Sequence, residues 1–245
     1  MTKINLSQLE LNKAYDMRPE NPQITAVFLH GITADSSSFA KTFNYLRELP
    51  IAEKIRFVAY DLLGSGKSPS GDELNFGFEE QLAALNNSIE KLNYSTPLVL
   101  IGHSMGTLIA TRYATKNINT VKQLILVSPP VYTREDLNNP EYELAMDIFK
   151  KVVAQKNPEA VESKIFKNEI NLIVKNPENY QFLAQITVPT TLIYGELDEI
   201  IASFNIPKLL QENSKIVAIK TADGHGLSKE KNTKIAEILA EVLDA

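Results

Sequence analysis

Residues 98–112 read Leu-Val-Leu-Ile-Gly-His-Ser-Met-Gly-Thr-Leu-Ile-Ala-Thr-Arg, and no other stretch constrains the fold as tightly. Leu98 to Ile101 has the composition of a buried strand, and an alternating apolar stretch that opens at Met105 reads as a helix to about Lys116. One serine, Ser104, stands at the junction, with Gly102 and Gly106 two positions to either side. A strand that turns straight into a helix leaves room only for small side chains at those positions. Such a turn is strained and lifts the serine hydroxyl above a parallel sheet. The five residues prove little alone; the strand before and the helix after give them weight. A chain that uses this serine must also supply a base, an acid and donors for an oxyanion.

Elsewhere strands and helices alternate. Ile24–Leu29 and Ile55–Tyr60 are short β-rich apolar runs, each ending in a loop. Asp35 and Ser36 to Ser38 are good cap material for a helix over about 39–48, and Leu82, Leu85, Ile89 and Leu92 give a helical spacing over 78–92. Val121 to Ser128 is another strand, closed by Pro129-Pro130. Residues 4–15 alternate loosely and predict one or two antiparallel edge strands. This order predicts an α/β fold, a mostly parallel sheet covered by helices on both faces. The alternation lapses from Val131 to about Ile186, a helix-rich stretch with candidates at 141–155 and 158–174 and prolines at 140, 158 and 177 as breaks. Strands return at 190–194 and 214–220, before an amphipathic closing helix at 233–243. The expected organisation is therefore a core over 1–130, a helical insertion over 131–187 and the rest of the core over 188–245.

Acyl transfer by serine needs a base for the hydroxyl proton and a third group to orient that base. The chain holds three histidines. His103 adjoins Ser104, so its side chain must point elsewhere, and His30 ends a strand; both are assigned structural roles. His225 lies in the loop Thr221-Ala-Asp-Gly-His-Gly-Leu227, just beyond the last strand, where open α/β sheets build their sites. It is the best base. The orienting acid should follow another strand, and Tyr194-Gly-Glu-Leu-Asp198 offers Asp198, with Glu196 and Glu199 as neighbours and Asp223 too near His225. The chain order is Ser104, Asp198, His225.

At this point the sequence resembles the α/β-hydrolase superfamily, serine-nucleophile branch, over nearly its whole length. The matching residues are His30-Gly31, after what would be the third strand, and Asp61-x-x-Gly64-x-Gly66-x-Ser68 after the fourth. Gly102-His-Ser-Met-Gly106, Gly195-x-x-Asp198 and Gly224-His225 complete the set. The resemblance implies an oxyanion hole made by the backbone N–H groups of Ile32 and Met105, and the second is physically reasonable because Met105 heads a helix. It also implies that the insertion is a short helical cap. Tyr132, Tyr142, Met146, Phe149, Phe166, Tyr180 and Phe182 are candidates to line a pocket beneath it, or simply to pack it on the core.

Other classes are disfavoured. The net charge is −5 with both signs interspersed, so nothing invites a nucleic acid. The absence of cysteine removes disulfides, thiolate nucleophiles and cysteine-based zinc sites, and the histidines are too widely spaced for a metal. Gly66-Lys67-Ser68 ends like a phosphate-binding P-loop, but that motif needs a glycine at position 61, where this chain has Asp61. No cofactor is implied. No run is long enough for a membrane helix and the N-terminus lacks a signal-peptide core, so the expectation is a cytoplasmic protein that meets no membrane. The expected activity is that of a carboxylesterase on small or medium acyl esters. Thioesterase, carbon–carbon hydrolase, aminopeptidase and perhydrolase chemistry, or a low-turnover ligand-binding protein on the same fold, remain open.

Overall fold

The computed structural model describes residues 4–244 apart from 157, 199 and 226–228. Seven strands, β1 (Lys13–Met17), β2 (Ile24–Leu29), β3 (Ile55–Tyr60), β4 (Leu98–His103), β5 (Val121–Val127), β6 (Thr190–Gly195) and β7 (Ile216–Thr221), form one sheet in the order β1-β3-β2-β4-β5-β6-β7. Only β1 runs antiparallel to its neighbour, β3; the other pairs are parallel.

The strands show why their sequences read as near-continuous apolar runs. Val27, Val58, Leu100 and Leu124 belong to the core on one face, whereas Phe28, Phe57, Ile101 and Ile125 belong to the core on the other. A sheet covered on both sides must be apolar at every position, with alternate residues assigned to opposite faces. Helices α1 (Ala40–Leu46) and α10 (Lys229–Asp244) pack together over the second face, through Phe43, Leu46, Ile235 and Leu239. Helices α2 (Phe78–Glu90), α3 (Met105–Lys116) and α9 (Ile206–Glu212) cover the first, through Leu85, Leu108 and Leu209. Between β5 and β6 the chain forms α4 (Arg134–Leu137), α5 (Pro140–Lys156), α6 (Pro158–Glu162), α7 (Lys164–Val174) and α8 (Asn179–Ala184). Of these, α7 and α8 pack on α3.

The chain reverses its direction of travel across the sheet between β2 and β4. In open α/β sheets that switch point opens a crevice at the strands' carboxyl ends, and it is here that His30-Gly31 and Ser104 emerge side by side.

Of the one or two antiparallel edge strands expected from residues 4–15, the structure has one, β1, preceded by a short 3-10 turn, because Leu9 and Leu11 are drawn down into the core instead of extending the sheet. Two local expectations are corrected. His30 consequently follows the second strand, not the third. The stretch 158–174 is two helices: Ser163 adopts extended backbone and its Oγ accepts the Phe166 N–H, capping α7 where one longer helix was expected. Helix α9 went unread because its seven residues, with Ile206, Leu209 and Leu210 among them, are too short a window to establish a period.

Candidate active site

The elbow is built by close packing. A Cβ at Gly102 would lie 2.7 Å from the Gly106 carbonyl carbon, and one at Gly106 would lie 2.3 Å from the Leu29 carbonyl oxygen. Both glycines are therefore required by space: α3 starts hard against the ends of β4 and β2. Ser104, held between them, has φ +50° and ψ −119°, a combination that costs a non-glycine residue about 1–3 kcal/mol and persists only where its surroundings enforce it. Its N–H donates to the Val127 carbonyl at 2.9 Å and its own carbonyl accepts the Thr107 N–H at 2.9 Å, so the backbone is fixed on both sides of the side chain.

The Ser104 Oγ lies 3.0 Å from His225 Nε2. On the far side of the ring, His225 Nδ1 lies 3.0 and 3.1 Å from the two carboxylate oxygens of Asp198. The acid's side chain is fully buried and that of His225 is 14% exposed. With Asp198 as an acceptor, Nδ1 carries the proton and Nε2 is left to accept from the serine. Three residues drawn from 121 positions of the chain thus form one continuous relay.

The acid and base loops are stitched together behind the relay. Gly195 and Thr221 end paired strands, the Glu196 N–H donates to the Thr221 carbonyl at 2.8 Å, and the Leu197 N–H donates to that of Asp223 at 3.1 Å. A Cβ at Gly195 would sit 1.9 Å from the Asp223 oxygen, so the two loops touch backbone to backbone. Asp198 also accepts the Ile200 N–H at 3.1 Å. The Ile200 carbonyl accepts the Tyr132 hydroxyl, which braces the acid loop from the segment that follows β5.

On the opposite side of Ser104 runs the loop His30-Gly31-Ile32. A Cβ at Gly31 would be 3.1 Å from Ser104 Cβ, which brings this backbone, and the buried Ile32 with it, against the serine. Met105, also buried, opens α3 immediately after Ser104. Both expected oxyanion donors therefore belong to segments that flank the hydroxyl.

The family model for the alpha/beta hydrolase fold matches residues 26–176. The chain belongs to that family. Among solved structures, the esterase EaEST from Exiguobacterium antarcticum superposes with a TM-score of 0.72 at 20% identity, over 94% of each chain. The probable lysophospholipase BODYGUARD 5 of Arabidopsis thaliana is 35% identical over 112 residues, 45% of this chain. The chain matches only about a quarter of that relative's length, 25%. Proline iminopeptidase of Saccharolobus solfataricus is 24% identical, with 95% of this chain and 88% of that protein covered.

The remaining features of the site sort into supports. His30 is buried; its Nε2 accepts the Leu62 N–H at 2.8 Å and its Nδ1 lies 2.8 Å from the Gly31 carbonyl, so it is neutral and ties two loops together. Burial lowers its pKa, in keeping with that state. His103 turns away from the serine, its Nε2 3.5 Å from the His225 carbonyl. In the loop after β3, the Asp61 carboxylate accepts the N–H groups of Ser36 and Lys67, both at 3.0 Å. Gly66 there has φ +54°, and a Cβ on it would strike that carboxylate at 2.2 Å.

Several pocket candidates turn out to be packing. Phe166 and Tyr180 are in the core, and Phe182 stacks on the guanidinium of Arg112, which has Phe78 on its other face. Glu199 lies outside the described residues. Sequence reasoning missed Tyr132 as a brace, and it missed the buried charged side chains Arg56, Glu80, Arg112 and Glu169. Glu169 had a signal: with Phe166, Ile170 and Ile173 it falls on the apolar stripe of α7. Among the described residues no helix is long and apolar enough to cross a membrane, and no group of histidine and carboxylate side chains could hold a metal.

Proposed function

We propose that the chain is a cytoplasmic serine hydrolase, a carboxylesterase that cleaves small to medium acyl esters through an acyl-enzyme on Ser104. The observation that carries this reading is the relay itself, serine to imidazole to buried carboxylate at hydrogen-bond distance, set on a strained turn. Ser104 Oγ attacks the ester carbonyl while His225 Nε2 takes its proton. Asp198 keeps the imidazole in the required tautomer and stabilises the cation that forms. The backbone N–H groups of Ile32 and Met105 receive the oxyanion, an interaction for which a single donor is worth about 100- to 1,000-fold in rate. The imidazolium then protonates the leaving alkoxide. Water repeats the sequence on the acyl-enzyme, with His225 as base, and releases the acid and the free serine.

Residues 131–187 act in this reading as a cap, covering the face of the crevice from which the substrate's acyl and leaving groups extend. The covered length shared with proline iminopeptidase supports a second reading, cleavage of an N-terminal peptide bond by the same relay. Aspartate-nucleophile chemistry of the dehalogenase and epoxide hydrolase kind is disfavoured by Ser104.

The test is hydrolysis of p-nitrophenyl esters of graded chain length, beside thioesters and aminoacyl anilides, by the parent and by Ser104→Ala, with fluorophosphonate labelling of both. Ester turnover and labelling that vanish in Ser104→Ala are expected. A variant that hydrolyses p-nitrophenyl acetate at the parent rate overturns the reading, and a parent that neither turns over nor labels points to a binding protein.

A further inference from the structure

Glu196 and Leu197, ahead of Asp198, are tied to the base loop, but the residues that follow the acid are held from another quarter. The Ile200 N–H donates to Asp198 Oδ1 at 3.1 Å, and Ala202, two residues on, has φ +52° in the left-handed region. A non-glycine residue keeps that conformation only where its surroundings enforce it. Here the surroundings are the residues that follow β5. The Val131 N–H donates to the Ile201 carbonyl at 3.0 Å, and the Tyr132 hydroxyl donates to the Ile200 carbonyl. Two successive residues thus hold two successive carbonyls. At the loop's far end, Asn205 Nδ2 donates to the Val131 carbonyl at 3.0 Å and to Asp136 Oδ2 at 2.6 Å. A carbonyl and a carboxylate only accept, so both protons of that amide are committed. Asp136 Oδ2 also receives the Thr133 N–H and hydroxyl, each at 2.7 Å, within the capping box of α4, so the anchor is itself fixed.

We propose that Tyr132 is a positioning residue for the catalytic acid: its hydroxyl holds the Ile200 carbonyl, with Asn205 closing the loop at its other end, so that the Ile200 N–H keeps the Asp198 carboxylate aimed at His225. The tyrosine ring is seated in turn. It is buried and meets the ring of Tyr142, from α5, edge-on with 4.4 Å between centroids, which sets the direction of its hydroxyl. A phenylalanine would fill that space equally well, so packing alone gives no reason for the oxygen. The Asp198 carboxylate meets His225 Nδ1 through both oxygens and the Ile200 N–H through one of them. Without the Tyr132 hydroxyl, the Ile200 carbonyl must turn toward another donor, because a buried carbonyl left unpaired is costly. The N–H that steadies the acid turns with it. The first residues of the segment between β5 and β6 thereby set the geometry of the relay while lying outside it.

The inference rests on the serine-hydrolase reading, and the experiment separates the two. Turnover of p-nitrophenyl acetate and the rate of fluorophosphonate labelling at Ser104 are compared for the parent, Tyr132→Phe, Asp198→Ala and the double variant, with thermal unfolding to establish that each is folded. Labelling gives a rate even where turnover is slow. Misplacing a catalytic group by about 1 Å costs on the order of 100-fold, so Tyr132→Phe is expected to lose about 10- to 100-fold in kcat with KM within about threefold of the parent. In the Asp198→Ala background the same substitution should change either rate by less than about twofold, because its whole effect passes through the carboxylate. Asn205→Ala, which frees the other end of the loop, should also lower kcat and leave KM within about threefold.

A Tyr132→Phe enzyme with parental kcat overturns the proposal, as does a change confined to KM. So does an equal fold loss with and without the Asp198 carboxylate, which would put the effect of the hydroxyl elsewhere than on the acid. If Tyr132→Phe does not fold, Asn205→Ala takes its place in the cycle and must lose at least about fivefold in kcat, again only while Asp198 is present. Failure of the parent to turn over any ester or to label at Ser104 would instead remove the reading beneath.

Discussion

Substituting Gly195 by alanine adds one methyl group far from any substrate, yet it should disable the relay. Gly195 has no positive φ among the described glycines that do, so the constraint on it is space alone. Its Cβ would lie 1.9 Å from the Asp223 oxygen and 2.6 Å from the Asp223 carbonyl carbon, both of them backbone atoms that cannot rotate away. Real contacts of this kind stay beyond 3.0 Å, so the acid and base loops must part by about 1 Å or more. The bonds from Asp198 to His225, now 3.0 and 3.1 Å, would then stretch to about 4 Å, outside hydrogen-bond range.

Loss of the orienting acid is worth about 10,000-fold in kcat in the serine-protease template, and a 1 Å misplacement about 100-fold; the expected loss lies between those limits. Overpacking should also cost roughly 1–3 kcal/mol, or about 2–12 °C in melting temperature for a chain of this size. The assay is turnover of p-nitrophenyl acetate by Gly195→Ala, Asp198→Ala and the double variant, alongside thermal unfolding. Because both changes act through one contact, the double variant should be no slower than Asp198→Ala to within about threefold. A Gly195→Ala enzyme that keeps its kcat within threefold of the parent would refute the steric reasoning.

Three further outcomes follow from the supports. His30→Leu orphans the Leu62 N–H and leaves the Gly31 carbonyl with the Ala34 N–H alone; unfolding in urea should show a loss of about 1–3 kcal/mol, with kcat reduced because Gly31 borders the serine. Arg56, with its side chain only 4% exposed, donates from Nε and Nη2 to the two oxygens of Asp16, each at 2.8 Å, and this pair ties β1 to β3. The pair lowers the Asp16 pKa from 3.8 to about 2. A depressed carboxylate contributes stability above its unfolded value that is lost as pH falls through its folded one. Of the upper bound of about 2.4 kcal/mol in that shift, about 1–2 should survive solvent screening; it should disappear between about pH 4 and pH 2 in the parent, and a pH series of urea melts should find it already absent in Asp16→Asn. Among the described residues Arg112 has no hydrogen-bond partner on either Nη; it lies 3.7 Å from Glu178 and is clasped by Phe78 and Phe182. Its burial lowers the guanidinium pKa to about 10. Replacement by methionine should therefore leave stability within about 1 kcal/mol of the parent or raise it, and a marked loss in a urea melt would show the ion pair to be the stronger term.

Local pattern carried most of the architecture because a sheet covered on both faces demands unbroken apolar strands, and β2 to β6 have them. It was weakest where tertiary contacts override pattern: at β1, which is set by pairing with β3 and by the Asp16–Arg56 bridge, and at Ser163, where one hydroxyl cap divides a stretch that reads as a single helix. The seven aromatic and methionine residues proposed for the pocket illustrate the same limit. An apolar side chain in a helix reads alike whether it faces a substrate or a neighbouring helix, and only the packing of Phe166, Tyr180 and Phe182 assigned them to the latter.

What the sequence by itself determined is the elbow and the identity of its partners. The spacing of Gly102, Ser104 and Gly106 follows from sterics acting within a few residues, and three histidines left little choice of base. What only the tertiary structure decided is how those parts are held: Gly195 pressed on Asp223, Tyr132 bracing Ile200, and His30 tying Leu62 to the loop beside the serine. Each of these joins backbone segments distant in the chain, and their energies depend on ångström-scale separations that no local spacing encodes.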